Sequence, residues 1–175
     1  MELQGQNVEN MKRWTLKVKN GDPENLEARA ASYYWKKLFA ASSFFKRERF
    51  GTAPNGLLNY GYTILRGVVA RSLVGSGLLP TLGIHHHNKY NAYCLADDIM
   101  EPYRPFVDQM VVELVNKGVS ELTTESKQFL LKIPTCDVKI NQQKSPLMFA
   151  VQQTTSSLQQ CYTGIIKNIK YPQFV

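Results

Sequence analysis

Apolar positions along this chain return at helical rather than strand intervals. Leu57, Leu58, Gly61, Ile64, Leu65, Val68 and Val69 recur at i, i+3 and i+4, which predicts a core helix after a break at 50–55, FGTAPN. Gly75, Gly77 and Pro80 end it. Upstream, Asp22-Pro23 predicts a helix start, because Asp caps free amides and Pro suits the first helical position; helical spacing then runs to about Phe45. Residues 6–20 read as an arm or partial helix. Downstream, a short helix is predicted to reach about Glu101, Pro102 and Pro105 are expected to break the chain, and Val107 to Val115 begins a helix stopped near Lys117-Gly118. Thr123 to Leu131 reads as helical. Cys136 to Ile140, CDVKI, alternates and suggests one arm of a short β-hairpin near residues 132–142. Leu147, Ala150, Val151, Leu158, Cys161 and Ile165 predict a last helix of roughly 20 residues, with Ser145 as cap and Pro146 at its first position. The predicted fold is an all-α helical bundle.

Composition narrows the class. With 175 residues, 43% hydrophobic and 11% aromatic, the chain can bury one real core. The start, MELQGQNVENMKRW, has no apolar run for a signal peptide, and Leu65 to Ile84 is interrupted by Arg66, Arg71 and Pro80, so no membrane association and a cytoplasmic location are expected. Cys94, Cys136 and Cys161 form no CxxC pair. The net charge of +7 is unevenly spread: from Arg29 to Ala96 nine basic residues face the single acid Glu48. Such a segment attracts phosphates, although charge alone fits a solvated basic face equally well. The acids return at Asp97, Asp98 and Glu101, and cations for a backbone beside carboxylates for a metal suit nuclease or strand-transfer chemistry.

The run from Gly83 to Val107, GIHHHNKYNAYCLADDIMEPYRPFV, brings all three histidines close to those acids. Imidazole with carboxylate suits Mg²⁺ or Mn²⁺ better than a thiolate-bound zinc. Neighbouring residues point about 100° apart on a helix, so one histidine is expected as ligand, and His86 is the candidate. Asp98 and Glu101, three residues apart, share a predicted helix face with Cys94 one turn back and Asp97 partly alongside. Glu27 falls on a mostly apolar face with Ala30, Ala31, Tyr34 and Leu38, where an unpaired carboxylate calls for a cation; a helix-start carboxylate near Arg29 is the alternative. Asn59, Tyr62 and Arg66 form a polar stripe opposite the core, readable as a DNA-facing surface or a solvated helix face. Lys89 and Arg104 can orient phosphate oxygens. Arg29, Lys36 and Lys37 of the basic segment complete the DNA-binding candidates.

Four segments carry a resemblance: LEARAASYYW around Glu27, NGLLNYGYTILRG from Asn55, GIHHHN, and LADDIMEPYRPFVD. Together they resemble the CRISPR-associated integrase, the first Cas protein, in the version found in type II systems. The resemblance covers roughly Gly21 to Gly164. It implies a helical catalytic domain whose metal ligands and catalytic residues fall on Glu27, on His86 of the GxxH motif and on Glu101 of the DxxE motif, with Asp98 as supporting acid. It further implies Mg²⁺ or Mn²⁺ as cofactor and double-stranded and branched DNA, spacer and CRISPR repeat, as partners. The implied reaction is attack of a spacer 3′-hydroxyl on a repeat phosphodiester. In this family an amino-terminal β-rich domain of about a hundred residues builds the homodimer and meets the second Cas protein. Here that domain is expected to be absent, with residues 1–20 an arm or partial helix and 21–175 the catalytic helical domain. A non-catalytic DNA-binding module is the rival reading.

Overall fold

The computed structural model describes residues 7–19, 21–39 and 45–174. The chain divides into two compact units, Met1–Gly51 and Thr52–Val175. In the first, α1 (Glu9–Thr15) lies against α2 (Leu26–Leu38). Trp14 meets the Tyr33 ring edge-on at 5.7 Å, and the Tyr33 hydroxyl donates to the Asn7 carbonyl at 2.9 Å. The expected partial helix is thus α1; Gln6 and Asn20, its predicted limits, lie outside the described residues. Asp22 caps α2, as its sequence position suggests, but from further away. Its carboxylate accepts the amides of Leu26 and Glu27, both at 2.8 Å, because Asn25 takes a left-handed turn that sets the first helical residue at Leu26 instead of Pro23. The helix ends at Leu38 rather than near Phe45, and residues 40–44 of that expected extension lie outside the described residues.

The second unit is built around α3 (Asn55–Gly75). Leu57, Leu58, Leu65, Val69 and Leu73 are each fully buried, a stripe at helical spacing that contributes about 1.5–3 kcal/mol per side chain. Around it pack α4 (Cys94–Met100), α5 (Arg104–Asn116), α6 (Thr124–Leu130) and α7 (Leu147–Tyr162). A 3-10 turn at Glu101–Tyr103 joins α4 to α5. Pro102 and Pro105 therefore do not break the chain: each sits in the first turn of its element, where the missing N–H costs nothing. Lys117 caps α5, and Gly118 leaves it at φ +80°. A reciprocal pair caps α6, Thr123 with Ser126.

The all-α expectation holds, with one antiparallel hairpin among the described residues, β1 (Asp137–Ile140) and β2 (Gln143–Pro146). It sits a few residues later than 132–142, because Ile133–Thr135 is a 3-10 turn. Ser145 is consequently a strand residue and not a helix cap; Pro146 is the cap position and α7 starts at Leu147, running 16 residues. Across the core, Tyr103 hydroxyl meets Thr154 Oγ1 at 2.6 Å and Ser72 Oγ meets Thr155 Oγ1 at 2.8 Å, fixing α7 against its neighbours.

Helix α3 approaches α5 closely at Gly61, where a Cβ would lie 2.5 Å from Val107 Cγ1 and 3.3 Å from Ile133 Cδ1. Gly61→Ala is expected to destabilise the unit by about 1–3 kcal/mol through overpacking, read as a lowered midpoint in thermal or urea unfolding; an unchanged midpoint would contradict the packing described.

Candidate functional site

The histidine run lies on the loop between α3 and α4. Its shape is set by Gly83. A Cβ there would stand 2.2 Å from the His86 carbonyl oxygen and 2.8 Å from Cys94 Cβ, so only glycine allows the backbone to fold this tightly over the start of α4. The resulting turn aims successive amides at one acceptor. Asp98, on α4, receives N–H bonds from Ile84 at 2.6 Å, His85 at 2.9 Å and His86 at 3.2 Å, and its Oδ1 also bonds His86 Nδ1. Burial opposes the charged carboxylate, yet these bonds outweigh it and hold Asp98 below its ordinary range. An ionised Asp98 only accepts, so Nδ1 of a neutral His86 carries the proton and Nε2 keeps its lone pair for a ligand. The His86 side chain is 45% exposed, leaving that nitrogen reachable.

Asp97 points elsewhere. Instead of sharing a metal-facing surface with Asp98, it takes a bidentate bond from Arg66 on α3, Nε to Oδ1 and Nη2 to Oδ2, both at 2.7 Å, and a third bond from Asn91 at 2.7 Å. Three donors compensate a carboxylate that is only 8% exposed. Asn91 and Asn88 shape the same loop through their side chains, accepting the amides of Tyr93 and Tyr90. The Pro80 carbonyl takes the first amides of α4, Leu95 at 2.7 Å and Ala96 at 3.3 Å. Loop and helix thus hold each other.

Glu101 opens the 3-10 turn, 51% exposed, and pairs with Arg104 at 2.9 Å. Glu101 therefore does not need a shared cation for neutrality, because Arg104 pairs with it, whereas Asp98 is held by hydrogen bonds. Tyr62 departs from the expected polar stripe: it is 7% exposed and its hydroxyl donates to the buried Asp108. Arg66 commits its guanidinium to Asp97 and lies 5.7 Å over the Tyr93 ring; Asn59 is half-buried. Lys89 is exposed, with Nζ 4.9 Å from the Tyr90 ring.

The remaining candidates belong to the first unit. Glu27 is exposed in the first turn of α2, so desolvation does not itself demand a cation there. Arg29 stands 5.5 Å over Trp14 and Lys37 5.9 Å over Tyr33, while Lys36 is exposed. Among the described residues, no three His, Cys, Asp or Glu side chains are gathered as a metal site. Sequence reading missed Gly83, Asn91 and Asp108. The two asparagines of NKYN signal Asx turns, and the glycine of GxxH signals a tight turn; nothing local marks Asp108.

The sequence pattern of the family described as CRISPR associated protein Cas1 matches residues 8–135. The chain belongs to that family. It is 37% identical over 161 residues to "CRISPR-associated endonuclease Cas1" of Neisseria meningitidis serogroup C (strain 8013), covering 90% of this chain and 52% of the relative. It is 32% identical over 137 residues to "CRISPR-associated endonuclease Cas1 1" of Francisella tularensis subsp. novicida (strain U112), covering 71% and 43%. This Cas1-family chain spans about half the length of the curated relatives it matches. Its fold is shared with a chain of "Casposase bound to integration product", TM-score 0.71 and 19% identity over 85% of this chain and 49% of that one. A chain of "Cas6-RT-Cas1--Cas2 complex" shares it too, TM-score 0.72 and 22% identity over 90% and 20%. No helix among the described residues is long and apolar enough to cross a membrane.

Two outcomes follow from this geometry. Gly83→Ala should displace the His86 carbonyl and weaken the bonds to Asp98, seen as changed amide shifts at Ile84, His85 and His86 while the global fold, read by circular dichroism, persists. Because the folded value of Asp98 is depressed, its stabilising effect is present above the unfolded value of about 3.9 and is lost as pH falls through the lower folded one. The Asp98 carboxyl carbon shift should accordingly titrate with its midpoint below about 3.9; a midpoint above that unfolded value would contradict the clamp.

Proposed function

We propose that this chain carries the catalytic machinery of a metal-dependent DNA endonuclease and integrase of CRISPR adaptation, joining spacer 3′-hydroxyl ends to repeat DNA by transesterification. The observation that carries this reading is the Gly83–His86 loop tied down by Asp98, in a chain of the Cas1 family, leaving His86 Nε2 open. The donor set fits Mg²⁺ or Mn²⁺: one imidazole nitrogen from His86 and carboxylate oxygens from Glu27 and Glu101, without a thiolate. Bound there, the ion would polarise the scissile phosphate and offset the charge that builds up during in-line displacement. Asp98 would keep the His86 ring in one orientation and one tautomer, and Lys89 would attract the DNA backbone, as would the cations of α2 on their own unit.

The partners follow from the same reading. One structure with this fold is bound to an integration product and another is in a complex with Cas2, and we extend both to this chain: DNA, double-stranded and branched, and a second Cas adaptation protein. Strand transfer and branched-DNA cleavage assays with Mn²⁺ test the proposal. Glu27→Ala, His86→Ala and Glu101→Ala should each lower turnover by at least the ~10–100-fold typical of losing a ligand's outer partner, while DNA retention at low salt persists. Undiminished turnover in all three would sink the site. Salt-sensitive binding with no turnover in the unaltered chain, indifferent to chelators, would instead favour a DNA-binding module.

A further inference from the structure

Glu101 is the most loosely held of the proposed ligands in the second unit, half-exposed at the first position of the 3-10 turn. A free carboxylate of this kind pays rotamer entropy whenever a ligand fixes it. The structure supplies a restraint. Arg104 Nε stands 2.9 Å from Glu101 Oε1, and the Arg104 guanidinium lies 4.6 Å over the Tyr62 ring. That ring is itself fixed, because Tyr62 is buried on α3 and its hydroxyl donates to the Asp108 carboxylate, 2% exposed on α5. The contacts run from the core outwards, Asp108 to Tyr62 to Arg104 to Glu101.

We propose that Arg104 is a positioning residue for Glu101, its guanidinium plane set by Tyr62 and Asp108 so that one carboxylate oxygen is held and the other is presented to the metal. This rests on the reading of Glu101 as a ligand. Arg104 Nε is buried and has no hydrogen-bonding partner of proper alignment among the described residues, so its approach to Oε1 is charge against charge, off the N–H axis. A guanidinium can stack on a ring and address a carboxylate at once, whereas an ammonium is a compact point charge that offers only attraction.

The test is equilibrium binding of Mn²⁺ to the full chain by calorimetry, with circular dichroism confirming that each variant is folded. Arg104→Gln should weaken Mn²⁺ binding about 10–100-fold, as loss of a ligand's outer partner typically does. Arg104→Lys should remain at least about tenfold weaker than the unaltered chain, because charge returns without the stacked plane. Full affinity in Arg104→Lys would show that charge alone suffices and would overturn the role of Tyr62 and Asp108. Unaltered affinity in Arg104→Gln, together with loss in Glu101→Gln, would overturn the positioning role and leave Glu101 standing as a ligand. Unaltered affinity in Glu101→Gln would overturn both.

Discussion

The Asp98 carboxylate organises the candidate site. Four hydrogen-bond donors from one loop converge on it, three of them backbone amides of consecutive residues. A loop that exposes successive N–H groups would otherwise leave them to water or unpaired, and either outcome would let the histidines wander. Collecting them on a single anion fixes the backbone from Ile84 to His86 and the ring orientation of His86 together. Gly83 is the condition for this geometry, since any side chain there would meet the His86 carbonyl.

Two adjacent acids on α4 do different work for a geometric reason. Neighbouring helical side chains point about 100° apart, so Asp98 faces the histidine loop while Asp97 faces α3. Arg66 reaches Asp97 across the unit and Asn91 reaches it from the loop, making a second tie between the same two elements. The loop is thus held at His86 by one carboxylate and at Asn91 by its neighbour. Residue-level preorganisation of this kind suits chemistry in which a nitrogen must wait at a fixed place.

In the second unit of this Cas1-family chain, His86, Asp98 and Glu101 stand on a loop, on α4 and on a 3-10 turn, with α4 packed on α3. The helix packs against four others, and its close approach at Gly61 and its buried leucines set where α4 and α5 lie. Of the ligands proposed, His86 and Glu101 stand on the histidine loop and at the start of the 3-10 turn, so their placement depends on tertiary packing and not on any single segment.

Much of this was legible in the chain itself. Helical periodicity located α3, α5 and α7, and local chemistry marked some ends: Asp22 caps α2 and Gly118 leaves α5 with a positive φ, whereas Pro102 and Pro105, which looked like breakers, occupy first turns. The GxxH and DxxE spacings pointed to the loop and helix that Asp98 joins. These features are legible because they depend on residues within a turn or two of one another. Tertiary structure alone decided the division of labour: that Tyr62 is buried on Asp108, 46 positions away, that Arg66 answers Asp97 at a separation of 31, and that Arg104 lies on Tyr62. No local pattern encodes such partners, because what selects them is which helix faces pack and how much uncompensated charge that packing would otherwise bury.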